Sequence, residues 1–140
     1  TTTVAGRGFT AEAEVDAAPL ADALTDQEIA STRLVKIDVE GGEVAVLAGM
    51  DEFLDRARQD VEILVELSPQ WWSDSSKRPD EILASFESRG FNVYEIDNDY
   101  WPWRYLWPNA VRRPRRVTRR LDERVHRLDL VLSRVDAEVL

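Results

Sequence analysis

Two short apolar, mostly β-branched runs stand out in the pattern of the chain and predict two buried strands. The first run covers residues 34–39, and the second covers residues 63–67. Between them, apolar residues recur three to four positions apart, which predicts a helical segment. Gly49 divides this segment into two short helices, and Asp51 is expected to cap the second.

The rest of the pattern predicts one further helix and two further strands. The helix begins at Pro79 and ends at Gly90, and the strands cover residues 91–97 and 125–134. No helical pattern lies between these two strands, so they are expected to pair in antiparallel orientation. The order strand, helix, strand, helix favours right-handed crossovers between parallel strands. The predicted fold is therefore α/β, one domain over residues 1–140, with parallel strands, helices and a terminal antiparallel strand pair.

Two weaker elements are predicted before the first buried strand. Residues 11–15 alternate small apolar and acidic side chains, which is typical of an exposed strand. Pro19 then opens a helical turn over residues 20–24.

Composition narrows the chemistry that the chain can support. Of its 140 residues, 44% are apolar and 32% are charged, the balance of one compact domain. There is no cysteine and one histidine, which excludes disulfides and thiolate metal sites and leaves too few imidazoles for a multi-histidine zinc site. No metal is expected. The absence of cysteine suits a reducing compartment, and no apolar run is long enough to span a membrane, so we expect a cytoplasmic protein.

The charge is strongly negative but unevenly distributed. The net charge of −9 argues against nucleic acid as a partner. Residues 98–124, however, form an aromatic and then arginine-rich insertion. Such a segment can stack on sugars and bind phosphates or carboxylates. The alternative, which we favour, is that its aromatic residues cover the edge of the sheet and its arginines neutralise the acidic body or contact a partner subunit.

Acidic residues follow both buried strands and provide the candidate site. Asp38 and Glu40 end the first strand, and Glu66 lies near the end of the second. Ligands of open α/β sheets bind beyond the carboxyl ends of the strands, so these carboxylates are expected to share one edge of the sheet. If the strand persists to Glu40, Asp38 and Glu40 point the same way. The alternative is that Asp38 pairs with a neighbouring base, with Lys36 the first to examine, while Glu40 and Glu66 are solvated.

Two further short motifs follow the two buried strands. Trp71 and Trp72 follow the second strand and either line an acceptor pocket or pack in the core. Gly41 and Gly42 favour a tight turn over a phosphate loop, because no dinucleotide or Walker pattern surrounds them.

The run over residues 36–50, KIDVEGGEVAVLAGM, resembles the signature of FkbM-type S-adenosylmethionine-dependent methyltransferases. The family pattern has a lysine, an apolar residue and DVEG, followed by a glutamate, a leucine and a glycine at these offsets. Residues 16–24, 63–67 and 90–94 also resemble family segments, although Ala21 departs from the commoner acid. The resemblance covers roughly residues 15–97.

The resemblance implies a partial Rossmann-like methyltransferase fold and transfer of a methyl group to the oxygen of a sugar, natural product or other small hydroxyl acceptor. Asp38 and Glu40 match the motif and are the candidate catalytic residues, with Glu66 and Trp71 as candidate substrate-binding residues. The family's donor-binding glycine-rich turn and ribose-binding acid have no counterpart in this chain, which resembles the carboxyl-terminal half of the catalytic domain.

Four expectations follow from this half-domain interpretation. The chain is a cut, a processed product or a partial chain, it binds S-adenosylmethionine weakly or not at all, and it is inactive alone. Its exposed sheet edge favours a homo-oligomer or swapped dimer. The alternative function is a non-catalytic binding or assembly module that uses the insertion over residues 98–124, called here the Trp/Arg segment.

Overall fold

The computed structural model describes residues 16–72, 78–96, 113–118 and 127–137, which form a mixed α/β fold with a five-stranded sheet. The helices are α1 (Leu20–Ala23), α2 (Asp26–Ser31), α3 (Glu43–Ala48), α4 (Asp51–Arg56) and α5 (Pro79–Ser88), with a 3-10 turn over Pro69–Trp71. The strands are β1 (Leu34–Ile37), β2 (Glu62–Leu67), β3 (Asn92–Glu95), β4 (Arg115–Arg116) and β5 (Leu128–Ser133).

The strand order is β1-β2-β5-β3-β4, and it confirms the predicted pairings. Strands β1 and β2 are parallel neighbours, with Val35 opposite Ile63. Strands β3 and β5 form the predicted antiparallel pair. Strand β5 also pairs with β2 in antiparallel orientation, so the last strand of the chain lies between β2 and β3. Because β1 and β2 are parallel neighbours, their carboxyl ends lie side by side at one edge of the sheet.

The apolar face of the sheet forms the core together with the helices. In β2, Ile63, Val65 and Leu67 are fully buried, whereas the alternate residues Glu62 and Glu66 are partly exposed. This alternation follows from the period of two in a strand. The core cluster also contains apolar residues of α2, α3, α4 and α5, so these helices cover the apolar face. The opposite face of β2 is free to carry polar side chains.

Within the described residues, most predicted strands and helices are observed with shorter bounds, β2 begins one residue earlier than predicted, and one predicted cap is wrong. Gly49 does separate α3 from α4. However, Met50 is the N-cap of α4 and makes no side-chain hydrogen bond, while Asp51 is the first helical residue. The Asp51 carboxylate instead accepts a hydrogen bond of 2.9 Å from Arg89. Strand β1 ends at Ile37, before Asp38 and Val39.

Two predicted segments fall largely outside the described residues. The predicted strand over residues 11–15 lies outside them, as does the insertion over residues 98–124 except for residues 113–118. Within that part, β4 pairs with β3 in antiparallel orientation, with Arg116 opposite Tyr94.

The outer edge of β1 is bordered by an apolar groove of about 490 Å³. Among the described residues, β1 pairs only with β2, and Leu34, Val39 and Val46 are exposed nearby. An open edge strand flanked by apolar surface is the feature on which the expected self-association depends. That expectation remains a prediction.

The helices bear on the expected absence of a membrane span. Within the described ranges, every helix is too short or too polar to cross a lipid bilayer.

Helix α2 is held by a capping box whose removal we expect to be measurable. The Thr25 hydroxyl accepts a 3.3 Å hydrogen bond from the Glu28 amide, and the Glu28 carboxylate accepts one of 2.8 Å from the Thr25 amide. Substituting Thr25→Ala is expected to cost about 0.5–2 kcal/mol of unfolding free energy. Ile29 of the same helix is fully buried, so fraying of α2 would loosen the core.

This loss should depend on pH. The hydrogen bond from the Thr25 amide, followed by that from its hydroxyl, lowers the pKa of Glu28 below its usual value, whereas desolvation opposes the shift. The stabilisation that the Glu28 carboxylate gives to this cap is therefore present above the ordinary carboxyl pKa and lost as the pH falls through the lowered pKa. Urea unfolding of both forms across this range checks the prediction. A Thr25→Ala effect that stays constant down to strongly acidic pH would contradict it.

Candidate functional site

Charged side chains line a cavity of about 320 Å³ on the polar face of the sheet, close to the carboxyl ends of β1 and β2. The lining residues come from β1, β2, β5 and the residues that adjoin them: Lys36, Asp38, Leu64, Glu66, Ile96, Arg127 and Asp129. Strand register accounts for the grouping, because Lys36 lies opposite Leu64, and Glu66 lies opposite Asp129. Paired residues and residues two apart share one face of a sheet.

Asp38 and Glu66 are therefore brought into one cavity, as the strand-end argument predicts. The cavity lining includes neither Glu40 nor Trp71. The catalytic and substrate-binding assignments of all four residues remain predictions.

Asp38 makes the pairing that the sequence left open as an alternative. Its carboxylate lies 2.9 Å from the Lys36 ammonium, and both side chains are exposed. The hydrogen bond to Asp38 and then the attraction of its charge raise the pKa of Lys36, with smaller contributions from Glu66 and Asp129, while desolvation opposes the rise. Because an exposed ion pair is strongly screened by water, it contributes little to stability. The pair leaves the Asp38 carboxylate accessible to a ligand, because 45% of its side chain is exposed.

The Glu66 carboxylate is less accessible than that of Asp38. Its side chain is 14% exposed and forms an ion pair with Arg127. The apolar side chains of Leu64 and Ile96 complete the lining. The cavity thus offers hydrogen-bond acceptors and donors next to a small apolar surface. In the residues that the structure describes, no group of three or more acids or histidines is placed to hold a metal ion.

Glu40 begins a sharp turn, which changes the expected geometry of the two candidate catalytic acids. Its φ is +43°, and that of Gly41 is +107°. A side chain in the left-handed region does not continue the alternation of a strand, so Asp38 and Glu40 are not related by strand periodicity. Strained backbone in a non-glycine residue is a recurrent feature of functional sites. Glu40 is exposed at the tip of this turn.

Trp71 contacts the turn through its backbone. A Cβ atom added to Gly41 would lie 2.7 Å from the Trp71 carbonyl oxygen. The strand-end turn and the segment after β2 are therefore packed directly against each other. Trp71 is partly buried at this junction.

Sequence reasoning assigned no role to Glu43, which is fully buried beside the turn. One carboxylate oxygen accepts a hydrogen bond of 2.9 Å from the Gly41 amide, and the other accepts one of 2.8 Å from the Trp72 indole. One signal in the sequence points to Glu43. It is the glutamate of the family motif, and it starts a helix whose N-cap residue, Gly42, has no side chain that could cap the helix. Its contact with Trp72 depends on tertiary packing.

The described part of the Trp/Arg segment makes contacts within the fold. The Arg116 guanidinium lies 3.1 Å from the Asp136 carboxylate and also donates to Asn92. Arg115 is exposed. The contacts of Arg116 agree with the internal, charge-neutralising interpretation of that residue.

A five-stranded mixed sheet with helices and with acids at the carboxyl edge of its parallel strands fits a methyltransferase-like α/β fold. Comparison with known proteins agrees, because the model of the FkbM methyltransferase domain matches residues 1–93. The chain belongs to the FkbM methyltransferase domain family.

A curated relative supports this assignment. The chain is 31% identical over 91 residues to Methyltransferase sdnD of Sordaria araneosa. The match covers 65% of this chain but 32% of the relative, so it spans about a third of that relative's length. No solved structure matches the chain.

Proposed function

We propose that the protein is an S-adenosylmethionine-dependent O-methyltransferase and that this chain supplies the part that holds the hydroxyl acceptor. The observation that carries the proposal is that the matched family region, residues 1–93, places the motif residue Asp38 in one cavity with Glu66. Methylation of an oxygen requires a hydroxyl that is aligned and relieved of its proton. A carboxylate beside an open cavity can do both.

The proposal gives roles to Asp38, Glu66, Leu64 and Ile96 of the cavity lining, and to Glu40 and Trp71, which lie outside that lining. The acceptor hydroxyl donates a hydrogen bond to Asp38, which takes the proton as the oxygen bonds to the methyl group. Glu40, in the adjacent turn, is the second carboxylate that can take this proton. Glu66 accepts from a second hydroxyl, and Trp71 borders the acceptor at the junction with the turn. The apolar surface of Leu64 and Ile96 suits the carbon skeleton of a sugar or a natural product.

The described residues do not fit the methyl donor. The glycines that follow β1 offer no open cradle, because the space beside Gly41 is filled by the Trp71 carbonyl. We therefore assign no donor contact to these residues.

The isolated 140-residue chain is accordingly expected to bind S-adenosylmethionine weakly or not at all. A sulfonium near an acidic edge experiences only an attraction that salt screens, without the amides and ribose-binding acid that fix the ligand. Titration calorimetry should give no binding at low-micromolar strength, and any weak heat should disappear at high salt. Salt-resistant, low-micromolar binding would show that the donor pocket lies within this chain.

The function itself is tested with the protein as it is encoded, including any residues that flank this chain. Donor carrying a labelled methyl group is incubated with sugars, polyols and matched amines, and the products are identified by mass spectrometry. The proposal expects the label in a methyl ether. Label only on nitrogen would reject O-methylation, and no transfer to any acceptor would count against the enzymatic assignment.

A further inference from the structure

Glu43 is a charged side chain placed where an apolar one would be easier to bury. Its exposure is 0%, and the surrounding elements α3, β2 and the segment after β2 contribute apolar residues to the core. A buried carboxylate is tolerated only when hydrogen bonds replace its lost hydration. Here each carboxylate oxygen has one donor, and the two donors belong to different segments.

Those two segments form the edge of the sheet that carries the candidate acids. Gly41 belongs to the turn that begins at Glu40 and directly follows Asp38 and Val39. Trp72 belongs to the segment that directly follows β2, the strand of Glu66. The close packing of Trp71 on Gly41 joins the same two segments at a second point. Glu43 therefore connects the parts of the chain that hold the two halves of the candidate site.

We infer that Glu43 and Trp72 act together as a positioning pair that fixes the strand-end turn against the end of β2. This inference rests on the proposed function, since it assigns the pair to the placement of Asp38 and Glu40 relative to Glu66. The strained backbone at Glu40 adds a reason, because a positive φ outside glycine persists only where surrounding contacts impose it. The pair is one such contact, and neither member lines the cavity.

The chemistry of the pair dictates the variants. In Glu43→Gln the amide has nearly the same volume but a single acceptor oxygen, so it cannot accept from both the Gly41 amide and the Trp72 indole. In Trp72→Phe an aromatic ring remains in the core, but the change removes the indole donor to Glu43 and also the second ring of the indole. Glu87→Gln is the matched control, because Glu87 is an exposed glutamate on α5, away from the turn.

The first test is spectroscopic and needs no activity. In the 140-residue chain with nitrogen-15 in its tryptophans, the Trp72 indole signal is the one missing from Trp72→Phe. We expect this signal to move and its hydrogen to exchange with water about 10-fold to 100-fold faster in Glu43→Gln, because the Trp72 indole and the Gly41 amide then compete for one acceptor oxygen. In Glu87→Gln it should be unchanged. An unaltered Trp72 signal in Glu43→Gln would overturn the pairing.

The second test measures positioning in the encoded protein. Glu43→Gln and Trp72→Phe should each lower kcat by at least about 10-fold, within the roughly 100-fold that an ångström of misplacement costs, with KM changed less. The double variant should be no worse than the worse single one, because both changes break one connection. Losses that multiply, or a kcat unaffected by either change, would overturn the proposal. Should Glu43→Gln fail to fold, Trp72→Phe alone decides on the same kcat criterion.

The two tests separate this inference from the proposed function. A protein that transfers no methyl group while the Trp72 signal responds to Glu43→Gln contradicts the enzymatic assignment and the catalytic part of the inference, but supports the hydrogen-bonded pair. A protein that transfers methyl groups while Trp72 is insensitive to Glu43 supports the function and refutes the pair.

Discussion

Asp38→Asn and Glu40→Gln in the encoded protein are each expected to lower the rate of methyl transfer by at least about 100-fold. Either change removes a carboxylate that can take the proton from the hydroxyl group that is methylated, and it keeps the volume of the side chain. Asp38 lies in the cavity with an accessible carboxylate, and Glu40 begins the turn two residues further along the chain. Initial rates with labelled donor at saturating acceptor provide the measurement.

Stability should change little in both variants, which separates catalysis from folding. The Lys36 partner of Asp38 is exposed, and such pairs contribute little. Glu40 is exposed at the tip of its turn. Glu87→Gln, which removes an exposed carboxylate on α5, should retain full activity. Near-normal turnover in both site variants would reject the catalytic assignment. A large drop in melting temperature from Asp38→Asn alone would make its pairing with Lys36 structural.

The fold was predictable from the sequence wherever periodicity reflects burial. The apolar run over residues 34–39 and the alternation over residues 128–132 report which face of a strand meets the core, and both became strands. The position of β5 between β2 and β3 depends on long-range pairing, which local pattern does not encode. The cap of α4 was mispredicted because the N-cap position falls on Met50, so that Asp51 is already helical and its carboxylate pairs instead with Arg89, the residue that ends α5.

The site was predictable in part, for the same reason. The rule that ligands bind at the carboxyl ends of parallel strands correctly grouped Asp38 with Glu66. Strand alternation failed at Glu40 because the chain leaves the sheet at Ile37 and enters a left-handed turn. The buried position of Glu43 was not predicted, because its second hydrogen bond comes from Trp72, 29 residues away in the chain. Burial of a charged side chain is a property of the packed molecule.

Gly41→Ala is expected to be among the most damaging single substitutions in this chain, lowering the free energy of unfolding by about 2–5 kcal/mol. Two costs add at this position. The φ of +107° is strained for any residue with a Cβ atom, and that atom would lie 2.7 Å from the Trp71 carbonyl oxygen. The obstacle is backbone, so relief requires the turn and the segment after β2 to move apart. The substitution should therefore also weaken the bond between Glu43 and Trp72.

Two other glycines of the chain separate these costs. Gly90 has a φ of +83° but nothing within 4 Å of an added Cβ, so Gly90→Ala carries strain alone and should cost about 1–2 kcal/mol. Gly42 has a φ of −92°, and its added Cβ would meet Val39 at an ordinary 3.4 Å, so Gly42→Ala should change stability by less than about 1 kcal/mol. Urea unfolding of the three variants gives the comparison. Equal losses for Gly41→Ala and Gly90→Ala would mean that the Trp71 segment yields without cost, and that the edge of the sheet is not rigidly held at this junction.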